Sequence, residues 1–209
     1  MPAIEILRAV ALTSAALVGL SNSAQSQADH VRTCNHGEPR VAIESCTTLL
    51  RVIPDAPMPL LRRAAAFAAL DQWDKAISDY STYLVHKPRD AAILYERGQV
   101  HLRRAAYRLA IDDFTAALAV RPTWAAALNG RAWARFKLLD IDTAMVDVGA
   151  ALLIEPDHVA ALDTRGHIYE HRGERDKAIA DYRRALQLDP SHPLAYITRE
   201  GLRRLSAAP

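Results

Sequence analysis

Only two cysteines occur in 209 residues, Cys34 and Cys46. That excludes a disulfide-dense fold, and with no C-x-x-C spacing a thiol redox centre is set aside. Aromatic residues make up 6% of the chain, so the core has to be packed mostly by small and aliphatic side chains. Charge of one sign is not concentrated anywhere: 26 Lys and Arg against 24 Asp and Glu leave a net +2. Nucleic-acid binding needs clustered basic charge and is therefore not expected. A Gly-rich phosphate loop and a G-x-S-x-G nucleophile motif are both missing, and no cofactor is expected. The apolar run near the N-terminus, Ala9 to Leu20, is too short to span a bilayer comfortably.

What is present is a period of 34. Prolines stand at Pro54, Pro88, Pro122, Pro156 and Pro190. Twelve residues before each is an alanine: Ala42, Ala76, Ala110, Ala144, Ala178. Nine before the last four is an aspartate: Asp79, Asp113, Asp147, Asp181. Twenty-eight before the same four is a leucine: Leu60, Leu94, Leu128, Leu162. Several columns in register predict an α-solenoid whose units cannot bury their apolar faces alone. The clearest unit, Ala160 to Pro190, reads as two helices around a turn at Arg172-Gly173-Glu174. Small residues fit where the paired helices cross, and proline follows the second helix, where it cannot continue it.

These columns resemble the tetratricopeptide repeat family. The last unit carries Leu162, Gly166, Tyr169, Ala178, Tyr182, Ala185 and Pro190, and the one at 91–124 carries Leu94, Gly98, Ala110, Phe114, Ala117 and Pro122. The resemblance runs over roughly Pro39 to Pro190. It implies an all-α, right-handed solenoid, with repeats at about 57–90, 91–124, 125–158 and 159–192. A half-repeat is expected over 39–54 and a capping helix over 193–205, where Pro193 suits a helix start and Arg199, Arg203 and Arg204 give a polar outer face. The family further implies a non-enzymatic scaffold that binds a protein or peptide segment in a groove lined by the first helices. On that geometry the groove residues are Tyr95, Gln99 and Arg103, then Asn129, Trp133 and Lys137, then Asp163, His167, Glu170 and His171. Their mixed charge implies a partner segment carrying both signs. The Lys/Asn/Lys/Arg set by which some chaperone-binding members hold a terminal carboxylate is missing.

Residues 1–28 differ in kind. Arg8 precedes the apolar run, and Ser26-Gln27-Ala28 fits a small-x-small cleavage site. The expectation is a signal peptide cut after Ala28, a domain over 29–209, and a periplasmic or secreted protein without stable membrane insertion. Glu5 weakens the basic start, so an uncleaved anchor is the alternative. Export in turn predicts a Cys34–Cys46 disulfide, with Cys34 in a Gly/Pro-containing lead-in folded back on the helix that begins near Arg40.

Where the family usually has leucine, this chain has Arg63, Arg97, Arg131 and Arg165. Arginines on the buried side need partners. The aspartate column predicts an Arg–Asp ladder, with each pair either within a repeat or across the joint. His167-Ile168-Tyr169-Glu170-His171 also matches H-x-x-E-H, the pattern of one zinc peptidase group. A zinc-dependent hydrolase or metal-binding protein using 167–171 is thus the second reading. Its context is unfavourable, because the motif lies inside the first helix of the best-matching unit and Tyr169 is that unit's packing aromatic. No metal site and no catalytic residue are therefore expected.

Overall fold

The computed structural model describes residues 25–193 and 195–207, and every described element is a helix. The chain divides into two units, Met1–Val85 and His86–Pro209. Residues 1–24, with most of the expected signal segment, lie outside the described residues.

In the first unit, α1 covers 25–36, followed by α2 (Pro39–Val52), α3 (Pro57–Ala69) and α4 (Trp73–His86). Here the structure departs from expectation. Cys34 lies on a helix rather than in an irregular lead-in. The chain from Gln25 to His36 contains neither Gly nor Pro, so nothing interrupts helical hydrogen bonding until Gly37. Pro39 then opens α2 at its first turn, where proline costs no hydrogen bond. The Cys34–Cys46 disulfide joins α1 to α2. Beside it Thr33 donates to Ser45 Oγ at 2.6 Å. The segment 39–54 is thus paired with a helix of its own.

The second unit stacks α5 (Ala91–Arg103), α6 (Tyr107–Val120), α7 (Ala125–Lys137), α8 (Ile141–Ile154), α9 (Val159–His171), α10 (Arg175–Leu188) and α11 (Ala195–Ala207). Successive helices pack in antiparallel pairs, and α7 lies beside both α5 and α9. The architecture is an all-α helical solenoid. Its core is alanine-rich, with Ala110, Ala117, Ala132, Ala144 and Ala151 fully buried around Phe114 and Val148. α11 begins two residues later than expected, because Asp189 accepts from Ser191 N–H and Oγ and holds a turn over 189–193.

Two repeated devices hold the pairs together. The first is aromatic-on-glycine packing. Phe114 sits against Gly98 and Gly130, where an added Cβ would lie 2.9 and 2.7 Å from its ring. Tyr182 does the same with Gly166 and Gly201, at 2.6 and 2.8 Å. The second is the turn between the helices of each pair. Asp71, Ala105, Leu139 and Gly173 all have φ between 57° and 74°. The following N–H bonds back to the carbonyl five residues earlier, as in Asp140 N to Arg135 O at 3.0 Å and Glu174 N to Tyr169 O at 2.9 Å. This is a Schellman ending, which prefers glycine at the left-handed residue. Only the last of the four turns has it.

The Arg–Asp ladder is present, and each pair lies within a repeat. Arg63, Arg97, Arg131 and Arg165 each donate Nε and Nη2 to both oxygens of Asp79, Asp113, Asp147 and Asp181, at 2.6–2.9 Å. Arg63 and Arg131 also reach back across the joint, to Thr47 at 3.1 Å and Thr115 at 3.2 Å. A forked guanidinium can serve both neighbours at once, which a leucine in that column cannot.

Candidate functional site: a cleft between first helices

α5, α7 and the start of α9 enclose a cleft of about 430 Å³. Its walls are Tyr95, Gln99, Leu102 and Arg103 from α5, and Ala126, Asn129, Gly130 and Trp133 from α7. The third wall is His158, Ala160, Asp163 and Thr164. Residues four apart face one way on a helix, so the spacing in α5 and α7 places these side chains together.

The floor is aromatic. Tyr95 packs on Trp124 at 4.6 Å and on Phe114 at 5.7 Å between ring centroids. Burial pushes its phenol pKa up, so the hydroxyl stays protonated, and its side chain hydrogen-bonds Gln99. Trp124 is the residue before α7 and stacks under Arg121 at 4.1 Å, a structural role. Trp133 is half-buried. Its ring lies 5.6 Å from both Phe136 and His167, and the Lys137 ammonium stands 5.5 Å from its centroid. Asn129 Oδ1 is buried without a hydrogen-bond partner. An unpaired buried carbonyl costs about 1–3 kcal/mol.

Six of the ten expected groove residues border this cleft: Tyr95, Gln99, Arg103, Asn129, Trp133 and Asp163. Lys137 adjoins it through Trp133. Two of the α9 residues, Asp163 and Glu170, are held by α11 and do not form a solvated lining. Asp163 is only 2% exposed and accepts from Thr198 at 2.6 Å. Glu170 accepts from Arg204 at 3.0 Å and from the Tyr182 hydroxyl at 2.8 Å. With its one proton directed at Glu170, the Tyr182 oxygen accepts from His167 Nδ1 at 2.8 Å. The other ring nitrogen, Nε2, lies 3.6 Å from Asp163. Burial lowers the His167 pKa against the opposing pull of Asp163 and Glu170, and raises that of Tyr182. His171 is exposed, its ring edge 6.0 Å from Phe136. In the H-x-x-E-H stretch, then, His167 points into an aromatic cluster and Glu170 is held by α11. Among the described residues no three His, Cys, Asp or Glu side chains are grouped to hold a metal ion.

Leu102, Ala126, Gly130, His158, Ala160 and Thr164 also line the cleft and were not among the residues expected from the sequence. Leu102 shares a column with Phe136 and Glu170, one period apart each. His158 occupies the N-cap of α9, where its Nδ1 accepts from Ala161 N–H at 3.2 Å. Asp90 stands one further period before Trp124 and caps α5 the same way, bonding Ala92 and Ile93. A search for caps along that column finds His158.

Residues 61–118 and 164–192 match models described as tetratricopeptide repeat. Over 48 residues the chain is 44% identical to the human mitochondrial import receptor subunit TOM34, a match covering 23% of this chain and 16% of that one. MamA 41-end from Desulfovibrio magneticus RS-1 superposes with TM-score 0.71 at 19% identity, over 81% of this chain and 96% of that one. The first TPR of Spaghetti (RPAP3), solved bound to the HSP90 peptide SRMEEVD, gives TM-score 0.51 at 27% identity, over 56% and 90%. Period, paired helices, glycine–aromatic packing and these matches agree: the chain belongs to the tetratricopeptide repeat family.

Proposed function

We propose that the chain is a non-enzymatic scaffold of the cell envelope, and that the cleft between α5, α7 and α9 takes an acidic segment of a partner protein. The observation that carries this is the cleft itself, lined by Tyr95, Gln99, Asn129 and the half-buried Trp133. A peptide offers what this wall can use, a side chain for the indole and backbone groups for the Gln99 and Asn129 side chains. The charge preference rests on which side chains keep access to water. Asp163 is buried and Glu170 is paired with Arg204, whereas Arg103 and Lys137 are exposed. The peptide in the Spaghetti complex, SRMEEVD, is likewise rich in carboxylates. Export is supported by residues 1–28 and by the disulfide of α1 and α2, which an oxidising compartment maintains.

A photo-crosslinking residue at Gln99 should capture the partner, and one at Arg183, on the exposed face of α10, should not. Equal capture from both positions refutes the cleft. A chain recovered from the envelope beginning at Asp29 supports export, and one recovered from the cytosol with Met1 intact refutes it.

A further inference from the structure

His158 does two jobs with one ring. It is the N-cap of α9, where Nδ1 accepts from Ala161 N–H at 3.2 Å, and it also lines the cleft. An imidazole whose Nδ1 accepts carries its proton on Nε2. The two ring nitrogens face well apart, so with Nδ1 turned to the α9 backbone the Nε2–H is turned away from it. The cap therefore holds a hydrogen-bond donor on the cleft wall. No acceptor among the described residues takes it.

Capping alone would not select this residue type. Ser, Thr, Asp and Asn are preferred at an N-cap, and the same column holds Asp90, whose carboxylate caps α5 by accepting from Ala92 and Ile93. An aspartate at 158 would bring a second carboxylate to a wall that already holds Asp163, and like charge would turn an acidic segment away. Histidine keeps the cap and offers a neutral donor instead. Its place in the cleft is also distinct. α5, α7 and α9 run in the same direction, so His158, just before the first turn of α9, lies at the opposite end of the cleft from Arg103, in the last turn of α5. Lys137 closes α7 at the Arg103 end.

We propose that His158 is a specificity residue of the cleft, its Nε2–H donating to a carboxylate of the partner segment at the end away from Arg103. This rests on the reading of the cleft as the site of an acidic segment. It adds a pattern to that reading: an acidic residue for His158, an apolar one for Trp133, and a further acidic one towards Arg103 and Lys137.

A random peptide library displayed on phage and selected on the full chain tests this with the partner unknown. Selected peptides that crosslink to a photo-reactive residue at Gln99 are cleft binders. Those from wild type should share an Asp or Glu at a constant distance from an apolar residue. His158→Asn keeps both the cap and a donor, its Oδ1 taking the Ala161 N–H and its Nδ2 facing outward, so these peptides should bind it within about threefold of wild type. His158→Asp keeps the cap and removes the donor, so the same peptides should bind about tenfold or more weakly, while urea unfolding shows stability equal to wild type or higher. Peptides selected on His158→Asp should carry Lys or Arg in place of the shared acid. Cleft binders that bind His158→Asp as tightly as wild type overturn the proposal and leave the cleft standing. So does an equal loss in His158→Asn, or a His158→Asp protein that loses stability along with binding. Finding no cleft binder on wild type overturns the reading of the cleft and this proposal with it.

Discussion

Removing one rung of the ladder should have unequal effects that the hydrogen bonds foretell. Asp147 is the most heavily used rung. It accepts both donors of Arg131 at 2.8 Å and also Arg135 Nη1 at 2.7 Å, while its side chain is 5% exposed. Asp147→Ala leaves two guanidinium groups without their acceptor. Breaking a buried pair costs about 3–5 kcal/mol. The arginines here keep 17% and 23% of their side-chain surface, so water recovers part, and about 2–3 kcal/mol is expected. Arg131→Leu should cost nearer 1 kcal/mol, because Arg135 still holds Asp147 and leucine packs well in that column. Arg165→Leu should cost more, about 2 kcal/mol. Tyr169 stands at the position of Arg135 there, so Asp181 has no second arginine to hold it. In the Arg131→Leu/Asp147→Ala double variant the losses should fall short of their sum by about 1–3 kcal/mol. Urea unfolding of the four variants measures these differences. Calorimetry should show about 2–4 °C for each kcal/mol. Equal losses for Arg131→Leu and Arg165→Leu, or an Asp147→Ala protein within about 0.5 kcal/mol of wild type, would refute the reasoning.

Other consequences follow from the turns, the packing and the buried histidines. Leu139 is 70% exposed with φ of 63°, so Leu139→Gly should stabilise by about 1 kcal/mol and Gly173→Ala should destabilise by a similar amount. Gly166→Ala should cost about 1–3 kcal/mol, because the new methyl would meet the Tyr182 ring, which is fully buried. Burial lowers the pKa of both His101 and His167. In the unfolded chain each binds a proton near pH 6.5, so below that pH the unfolded state holds more protons and stability falls as pH falls. The slope should be at most about 1.4 kcal/mol per pH unit for each histidine. His101→Phe, the residue found at the equivalent position 67, should remove its share of the slope in urea titrations between pH 7 and pH 5.

The helix pairs and the ladder were legible because each is written four times. A residue set by a contact that recurs every 34 positions shows up as a column, and Arg131 with Asp147 needs no knowledge of the third dimension to be noticed. Direction was not legible: whether Arg131 bonds within or across the joint depends on rotamer and crossing angle, and the structure shows it doing both, to Asp147 and to Thr115. Within the cleft, Tyr95, Gln99, Asn129 and Trp133 could be placed by periodicity alone. Asp163 could not, because its burial is decided by Thr198 on α11, where the repeat pattern has ended. The helix at 25–36 was hidden because its first four residues read as the end of a leader and Gly37 and Pro39 made the stretch around Cys34 read as an irregular lead-in. The left-handed turns at Asp71, Ala105 and Leu139 left no mark, since glycine, the usual sign, is missing from all three.

The central claim is that the cleft beside Trp133 is where a partner segment is recognised. Once the crosslinked segment is identified, titration calorimetry of that peptide against wild type and Trp133→Ala tests it directly. A desolvated aromatic anchor is worth about 2 kcal/mol or more, so affinity should fall roughly thirtyfold with helix content unchanged by circular dichroism. A Trp133→Ala protein that loses its helical signal while the folded fraction binds as tightly as wild type would contradict the claim and make the indole part of the core.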